Sequence, residues 1–426
     1  MTDQALFTLI VLIVTTIFFL FNILPLGLVA MMSAVALAIG GVLKPAQAFS
    51  PLANTTSVLI MAMIILGHAL FHTGVASKIS RGMVRLTGKS ENGIMIAVVI
   101  VALALSSICS GVAVVAVLLP IVIGLCQEAG VSISRQLIPL SFAASVGCNL
   151  TLVGAASNVI TAGIIEDAKI NFLGFWELGK VGLPLCVLFL VYFLTIGKKL
   201  IRQGDTSDPE FIAVMTKKHN GGEITFDPLH GAITVIVLLC VIAAMTVNSK
   251  KFPMYFVAAI GVIVLRVTNC LDEKEFYRAF GRSTLFIVGG MTALAMGVRS
   301  SGLGAYIANS VVAALGTAPS KIAFLAAVLI TTCILTNIMS NTGTAGLVTP
   351  IFIPIAQSLG VNPVAVGVAI CVAASMPFLT PYGSGTNTLL IQPGRLTVRD
   401  FFVPGIGLTF VILAGSLVFI PLFFTL

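Results

Sequence analysis

Long apolar segments dominate the sequence and place the chain in a membrane. Continuous apolar runs, such as residues 58–70 and 235–247, carry no alternating polar positions, so they predict spanning helices and exclude a β-barrel. Of the 426 residues, 58% are hydrophobic and 9% are charged, far from the composition of soluble domains. We therefore expect an all-α, multi-pass protein of the cell (inner or plasma) membrane that keeps its first span.

Some of the apolar segments are simple spans and others are interrupted. The simple spans are predicted at residues 6–24, 26–43, 58–75, 181–197, 230–248, 253–267, 284–300 and 403–425. Residues 93–126 and 320–358 are too long for one helix and hold small polar residues near the middle, which predicts two re-entrant hairpins. Residues 137–165 and 364–394 are predicted to be spans broken by glycine-rich polar stretches.

An internal repeat relates the two halves of the chain. The recurring landmarks are Gly74 and Gly302 (228 residues apart), Ser110 and Ser340 (230), Pro120 and Pro350 (230), and Asn158 and Asn387 (229). These spacings predict two repeats of five crossings each, joined by a hydrophilic linker, so that the second repeat is inverted. Sixteen Lys and Arg residues on the linker side against seven on the other make the linker cytoplasmic. Inverted repeats with broken helices are typical of secondary transporters.

The positions of the charged residues restrict what a site at the membrane midplane can bind. All fifteen acidic residues lie in loops or at the ends of spans, which argues against a proton or cation antiporter. The hairpin tips at Ser110 and Ser340 and the breaks at Gly154 and Gly383 place helix N-termini near the midplane, where they favour an anion. The net charge of +8 is scattered over short loops, so no nucleic-acid partner is expected.

The run Ser340-Asn341-Thr342, followed by Pro350, resembles the hairpin-tip motif of the divalent anion:sodium symporter family, which transports dicarboxylates and sulfate. The resemblance covers nearly the whole chain, including a horizontal arm over residues 76–89. It implies a homodimeric elevator-type transporter of about ten spans, without that family's extra first helix. It also implies a small anionic substrate, most simply a di- or tricarboxylate, with Na⁺ as the coupling ion.

The resemblance assigns residues to the substrate and to Na⁺. The substrate positions are Ser110, Gly111, Asn158, Ser340, Asn341, Thr342, Ser384, Thr386 and Asn387. The Na⁺ positions are Ser106, Ser110, Gly154, Thr336, Ser340, Asn341 and Gly383. The first tip departs from the motif, because Gly111 and Val112 stand where Asn and Thr are expected. Asn149, Thr151 and Ser157 could compensate, or the substrate is held at one end only.

The resemblance also divides the chain into a scaffold and a transport domain. Scaffold helices and arms are expected at residues 1–92, 176–200, 230–317 and 396–426. The two halves of the transport domain are expected at residues 93–175 and 318–395, with the cytoplasmic linker at 201–229.

Alternative functions and simpler roles remain open at this stage. A sodium-independent anion exchanger, or a permease for sulfate, phosphate or arsenite, fits the incomplete first tip. A metal-dependent membrane enzyme could use His68 and His72, four residues apart on one helix, but ordinary packing is the simpler role of these histidines. A channel is disfavoured by the paired hairpins. Arg299, at the end of a span, is expected to extend to the outer surface.

Overall fold

The described part of the chain is built from helices. A computed structural model describes residues 1–426 except 22, 77, 80–81, 83–89, 171–172, 203–226, 248–251, 274–275, 278–282 and 316–319. The first half contains α1 (Asp3–Leu20), α2 (Leu26–Ile39), α3 (Pro45–Phe49), α4 (Thr55–His72), α5 (Glu91–Ser106), α6 (Gly111–Ala129), α7 (Ser134–Val146), α8 (Ala156–Asp167) and α9 (Gly179–Tyr192). A π-helical turn, Phe193–Gly197, and Lys198–Leu200 continue α9.

The second half repeats this order, with ten further helices in its described residues. They are α10 (Pro228–Val247), α11 (Met254–Val267), α12 (Ser283–Ser300), α13 (Leu303–Leu315), α14 (Lys321–Thr336), α15 (Asn341–Ser358), α16 (Pro363–Ala374), α17 (Gly385–Thr388), α18 (Ile391–Gly394) and α19 (Val398–Phe423). In the described residues seven helical segments are long and apolar enough to cross a membrane, and several shorter apolar helices accompany them. The expected all-helical membrane fold is confirmed.

Equivalent helices of the two halves begin at the spacing that the sequence predicted. The starts of α2 and α11, and those of α4 and α12, are 228 residues apart; those of α5 and α14, and of α6 and α15, are 230 apart. The contacts repeat as well: α2 packs along α12, and the equivalent pair α11 and α4 pack in the same way. The two halves therefore interlock, because each contributes one helix to both pairs.

A glycine with positive φ ends the same helix in each half. Gly74 (φ 73°) follows α4 and Gly302 (φ 74°) follows α12. The Gly74 amide donates to the carbonyl oxygen of Phe71, and the Gly302 amide donates to that of Arg299, which is the equivalent residue. An L side chain rarely adopts this left-handed conformation, so both turns require glycine. The expected horizontal arm after Gly74 lies largely outside the described residues, as does most of the linker.

Each half contains a helical hairpin with a short tip. Helices α5 and α6 meet at residues 107–110, called the first tip here, and α14 and α15 meet at residues 337–340, the second tip. The caps of the entering helices also repeat: the Ser90 hydroxyl accepts from the Gly93 amide at 3.1 Å, and the Ser320 hydroxyl accepts from the Ala323 amide at 3.2 Å. Both hairpins lie where the long interrupted segments predicted them.

Each half also contains a broken helix. The first break, residues 147–155, separates α7 from α8, and the second break, residues 375–384, separates α16 from α17. The two are not alike beyond the break, because α8 has 12 residues whereas α17 and α18 have 4 each. Pro393 lacks a backbone N–H, and Arg395 (φ 46°) is left-handed, so the second segment cannot continue as one helix.

The acidic residues keep to the ends of the helices, as the sequence suggested. Among the described residues, Glu91 and Asp400 lie in first turns and Asp167 ends α8. Asp400 also forms a capping box with Thr397 at the start of α19. The middle of the membrane-spanning part that is described therefore contains no carboxylate.

Candidate functional site

Both tips and both breaks border one cavity of about 660 Å³, called the central cavity here. Its lining includes Ser110 of the first tip, Ser340 of the second tip, Gly154 of the first break and Gly383 of the second. Residues of α1, α2, α4 and α12 close its other side. Four elements that are distant in sequence therefore meet at one site, as the repeat predicted.

The second tip presents polar side chains to the central cavity. The Ser340 hydroxyl accepts from the Gly343 amide at 3.1 Å and so caps α15. Asn341 and Thr342 follow in the first turn, are half-buried, and line the cavity. Behind them, the Thr336 hydroxyl lies 2.6 Å from the carbonyl oxygen of Ala374, which connects the tip to the end of α16. The Ser340 hydroxyl therefore accepts as a cap and keeps its own hydrogen to donate, and Asn341 and Thr342 add further polar groups to the cavity lining.

The first tip presents a much less polar surface. Ser110 is exposed and makes no side-chain capping bond at the start of α6. Gly111 lies against α7 and α17: a Cβ atom there would be 3.0 Å from the carbonyl oxygen of Ala144 and 3.3 Å from Thr386 Cγ2. Val112, which is 41% exposed, lies beside the start of α17, where a Cβ atom at Gly385 would be 3.0 Å from Val112 Cγ2. The replacement of Asn and Thr thus removes polar groups and also allows close packing.

The two break asparagines hold the irregular backbone in the same way. Asn158 Nδ2 donates to the carbonyl oxygens of Cys148 at 3.0 Å and Thr151 at 3.5 Å. Asn387 Nδ2 donates to those of Pro377 at 2.6 Å and Thr380 at 2.9 Å, which are the equivalent positions. Both side chains are fully buried. Their amides therefore satisfy the broken backbone and do not border the central cavity.

The structure places the thirteen residues assigned from the sequence in two groups. Those that line the central cavity are Ser110, Gly111, Gly154, Ser340, Asn341, Thr342, Gly383, Ser384 and Thr386. Those that lie behind it, fully buried, are Ser106, Asn158, Thr336 and Asn387. Their assignment to substrate or Na⁺ stays a prediction.

Several buried oxygen atoms around the first break have no hydrogen-bond partner among the described residues. They are Asn149 Oδ1, Ser157 Oγ and Asn158 Oδ1, whereas Thr151 Oγ1 donates to the carbonyl oxygen of Ser107. At the second break the equivalent of Asn158 differs, because Asn387 Oδ1 accepts from the Ser141 hydroxyl at 2.5 Å. Buried polar atoms are nearly always paired in native proteins, so each of these oxygens is a candidate ligand for a bound ion or substrate.

The electrostatics of the central cavity favour an anion. Helices α6, α8 and α15, of 19, 12 and 18 residues, all begin at the cavity, so their free N–H groups and positive dipole ends meet there. No Asp, Glu, Lys or Arg is found among the described residues that line it. Hydroxyl, amide and backbone groups therefore determine what the site can hold.

Sequence reasoning missed several lining residues. Ser145, Tyr382 and His68 all border the central cavity, whereas the sequence suggested ordinary packing as the simpler role of His68 and metal binding as the alternative. On α4 the lining residues Ile64, His68 and Phe71 are three or four positions apart, so helical periodicity shows that they share a face. It does not show that this face borders the hairpins.

Arg299 contacts another part of the fold and does not simply extend to the surface. At the end of α12, its guanidinium donates to Asp167 Oδ2 at 2.9 Å and also to the Asp167 carbonyl oxygen. This pair borders a second cavity of about 350 Å³ between α8, α12, α13 and α15. The contact therefore connects α12 with the end of the first broken helix.

The two α4 histidines have different surroundings. His72 Nδ1 lies 3.2 Å from the carbonyl oxygen of Cys270, and its Nε2 lies 3.9 Å from Asp272 Oδ2, away from the cavity. No group of three or more His, Cys, Asp or Glu residues that could hold a metal occurs in the described part of the chain. The described residues therefore offer no support for a metal-dependent enzyme.

Comparison with known proteins agrees with this architecture. A family model described as citrate transporter (CitMHS) matches residues 10–345. The chain belongs to the citrate transporter family. An uncharacterized transporter of Synechocystis is 22% identical to it over 95% of this chain and 95% of its own length. The sodium-dependent high-affinity dicarboxylate transporter 3 of Caenorhabditis elegans is 24% identical over 92% of this chain and 79% of its own length.

A solved structure shares the fold. The crystal structure of the Alcanivorax borkumensis YdaH transporter superposes with a TM-score of 0.63 at 18% identity, covering 90% of this chain and 87% of that one. The family match and the dicarboxylate transporter relatives confirm the resemblance to the divalent anion:sodium symporter family. This citrate transporter family member is a multi-pass membrane transporter and not an enzyme.

Proposed function

We propose that the chain is a secondary active transporter that moves small di- or tricarboxylates together with Na⁺. The observation that carries this proposal is the central cavity, where three long helices begin and no acidic, Lys or Arg side chain of the described residues is present. A carboxylate placed there accepts hydrogen bonds from N–H and hydroxyl donors and has no like charge beside it.

The second half provides most of the donors for the anion. Asn341, Thr342, Ser384 and Thr386 line the central cavity from the second tip and the second break. Ser384 Oγ and Thr386 Oγ1 lie 2.9 Å apart, so the two hydroxyls can orient each other toward one ligand. We therefore place one carboxylate group of the substrate at this end.

The first break supplies the oxygen ligands that a sodium ion needs. Asn149 Oδ1, Ser157 Oγ and Asn158 Oδ1 are buried without partners, and the break itself frees backbone carbonyl groups. Unpaired buried oxygens are costly, and a hard cation that binds several of them removes that cost. The C. elegans relative is a sodium-dependent dicarboxylate transporter by name, which supports coupling to Na⁺ in this chain.

The packing of the hairpins supports an elevator movement. The first hairpin packs against α7 and the second against α16, while α8 packs against both α15 and α16. These elements form one group that contains both tips and both breaks. In the proposed mechanism this group moves together against a dimeric scaffold that includes the α2–α12 and α4–α11 pairs, and it carries the anion across the membrane.

The experiment that tests the proposal is uptake into liposomes containing the purified protein. Succinate and citrate should accumulate when an inward Na⁺ gradient is imposed, and accumulation should stop when K⁺ replaces Na⁺. Uptake at the same rate with and without Na⁺ would contradict the proposed coupling to Na⁺. Absence of uptake of both acids would contradict di- and tricarboxylates as the substrate class.

The apolar first tip favours a second candidate. Gly111 and Val112 offer no side-chain ligand, so a smaller anion held at the second tip alone would suffice. In that case the protein is a sodium-independent exchanger or a permease for an inorganic oxyanion. Sulfate or phosphate uptake without Na⁺, in liposomes that take up no succinate, would favour this second candidate over the dicarboxylate transporter.

A further inference from the structure

A histidine borders the central cavity at the level of the first tip. His68 is half-buried on α4 and belongs to the lining together with Gly67 and Phe71. A Cβ atom at Gly67 would lie 3.5 Å from Cys109 Sγ of the first tip. The turn of α4 that carries His68 therefore touches the tip that lacks the Asn and Thr side chains.

His68 is also the one described lining residue that can gain a positive charge near neutral pH. The other titratable side chains of the lining are Cys148 and Tyr382, which are neutral in their protonated forms, and Cys148 donates to the carbonyl oxygen of Ala144 at 3.1 Å. An isolated imidazole has a pKa of about 6.5, so its charge changes between pH 6 and pH 8.

Other titratable groups lie on α4, on the helices packed against it and at the first tip. On α4 itself, His72 contacts Asp272. The remaining groups in the described residues are His230 with Asp227, and Cys240, at α10; Tyr255, Arg266 and Cys270 at α11; Glu166 and Asp167 at α8; Arg299 at α12; Cys126 and Glu128 at α6; and Cys109 at the first tip. None of them is part of the cavity lining, so the electrostatic surroundings of a bound anion at the first tip change mainly with His68.

We propose that protonated His68 binds the second carboxylate of the substrate at the first tip. It supplies the charge and the N–H donor that Gly111 and Val112 do not. The inference rests on the proposed function, because it requires a substrate with two anionic groups. Since α4 lies outside the hairpins and breaks, this contact belongs to the fixed side of the transporter and forms in only one of its two states.

The proposal makes affinity for dianions depend on pH in a defined direction. Fumarate is a suitable probe, because both of its carboxyl groups are ionised at pH 6 and at pH 8. Its KM should be up to about tenfold lower at pH 6 than at pH 8, which corresponds to about 1.4 kcal/mol, one charged hydrogen bond to a carboxylate. Uptake is measured in liposomes at a fixed Na⁺ gradient.

Three variants separate His68 from other causes. His68→Gln should have the high KM at both pH values, and His68→Lys, which stays charged, should have the low KM at both. His72→Gln is the matched control on the same helix, outside the cavity, and should keep the pH dependence of the unmodified protein. Size-exclusion elution of each variant establishes that it is folded.

The outcomes distinguish this inference from the function on which it rests. Fumarate uptake with a KM that is equal at both pH values, or an unchanged pH dependence in His68→Gln, would overturn the role of His68 and leave the function standing. Absence of uptake of fumarate, succinate and citrate by the unmodified protein would overturn the proposed function, and the histidine contact with it.

Discussion

Asn341 Oδ1 lies 2.9 Å from the hydroxyl oxygen of Thr336, across the tip of the second hairpin. The same hydroxyl lies 2.6 Å from the carbonyl oxygen of Ala374, and its single hydrogen serves one acceptor at a time. The contact connects the end of α14, the start of α15 and the end of α16. It holds the tip asparagine in place while leaving the side chain half-buried at the central cavity.

Asn341→Ala should abolish succinate uptake and leave the folded protein stable. The side chain lines the cavity and is not fully buried, so its removal costs little packing but deletes a ligand at the more polar end of the site. Uptake into liposomes and the thermal unfolding midpoint measure the two effects. Unchanged uptake would show that Asn341 does not bind the substrate.

Asn337→Ala is the matched control in the same tip. Asn337 Nδ2 donates to the carbonyl oxygens of Cys333 at 2.7 Å and Met376 at 3.1 Å, and its Oδ1 accepts from the Leu379 amide at 2.7 Å. All of these partners are backbone groups, so this variant should lower the free energy of unfolding, by about 1–3 kcal/mol for each group left unpaired. A loss of uptake in Asn337→Ala is therefore expected to come with a loss of stability.

The two break asparagines should differ in their effect on stability. Asn387 makes two backbone bonds and also accepts from the Ser141 hydroxyl, whereas Asn158 Oδ1 has no partner in the described structure. Asn387→Ala should therefore lower the unfolding midpoint more than Asn158→Ala when both are measured without Na⁺. If Na⁺ binds at the first break, adding it should stabilise the unmodified protein more than Asn158→Ala. Equal stabilisation of both by Na⁺ would contradict a role for Asn158 in the ion site.

Much of the fold can be predicted from the sequence, because helix periodicity and capping depend on residues that are close together in the chain. The span predicted at 58–75 is α4, which begins at Thr55, three residues earlier, since Asn54 Oδ1 accepts from the Ser57 amide at 2.9 Å. The apolar pattern shows where the hydrophobic residues start, and a polar cap lies outside that pattern. The interrupted apolar segments predicted the hairpins and the breaks correctly for the same local reason.

The site is harder to predict from the sequence, because it depends on contacts between segments that are distant in the chain. The sequence marks Asn158 as a polar residue after a break, but its amide points to the carbonyl oxygens of Cys148 and Thr151, whose position depends on the path of the irregular chain. Likewise, nothing local shows that the His68 face of α4 borders the first tip. Residues whose roles follow from the meeting of distant segments are therefore the ones that sequence reasoning misplaced or missed.

The Arg299–Asp167 pair should affect transport more than stability. Its side chains are 49% and 33% exposed, and exposed pairs of this kind contribute about 0–1 kcal/mol. If α8 moves relative to α12 during transport, the pair forms in only one state, so Arg299→Gln should change the uptake rate with little shift in the unfolding midpoint. Lys180→Gln is the control, because Lys180 pairs with Glu177 three residues away in the same segment.

A covalent cross-link provides the sharper version of this test. In the double variant Arg299→Cys, Asp167→Cys, a short bifunctional thiosulfonate that replaces the length of the arginine side chain should join the two thiols, since a direct disulfide requires closer backbones. Uptake should be lost on cross-linking and return on reduction, because a covalent connection between α12 and α8 prevents their relative movement. The unmodified cysteines are mostly buried, so the parent protein should respond little to the same treatment. Full uptake by the cross-linked protein would show that these two helices do not move apart.

Two neighbouring substitutions at the start of α6 should have opposite effects on uptake. Gly111→Ala places a Cβ atom 3.0 Å from the Ala144 carbonyl oxygen and 3.3 Å from Thr386 Cγ2, so it should push the start of α6 away from α7 and α17 and reduce both stability and uptake. Val112→Thr adds a hydroxyl at a residue that is 41% exposed and lines the cavity, so it should be tolerated and should lower the apparent KM for succinate. Succinate titrations of uptake, read beside the unfolding midpoints, compare the two variants. Wild-type behaviour of Gly111→Ala would mean that α6 does not begin in the close contact with α7 and α17 described here.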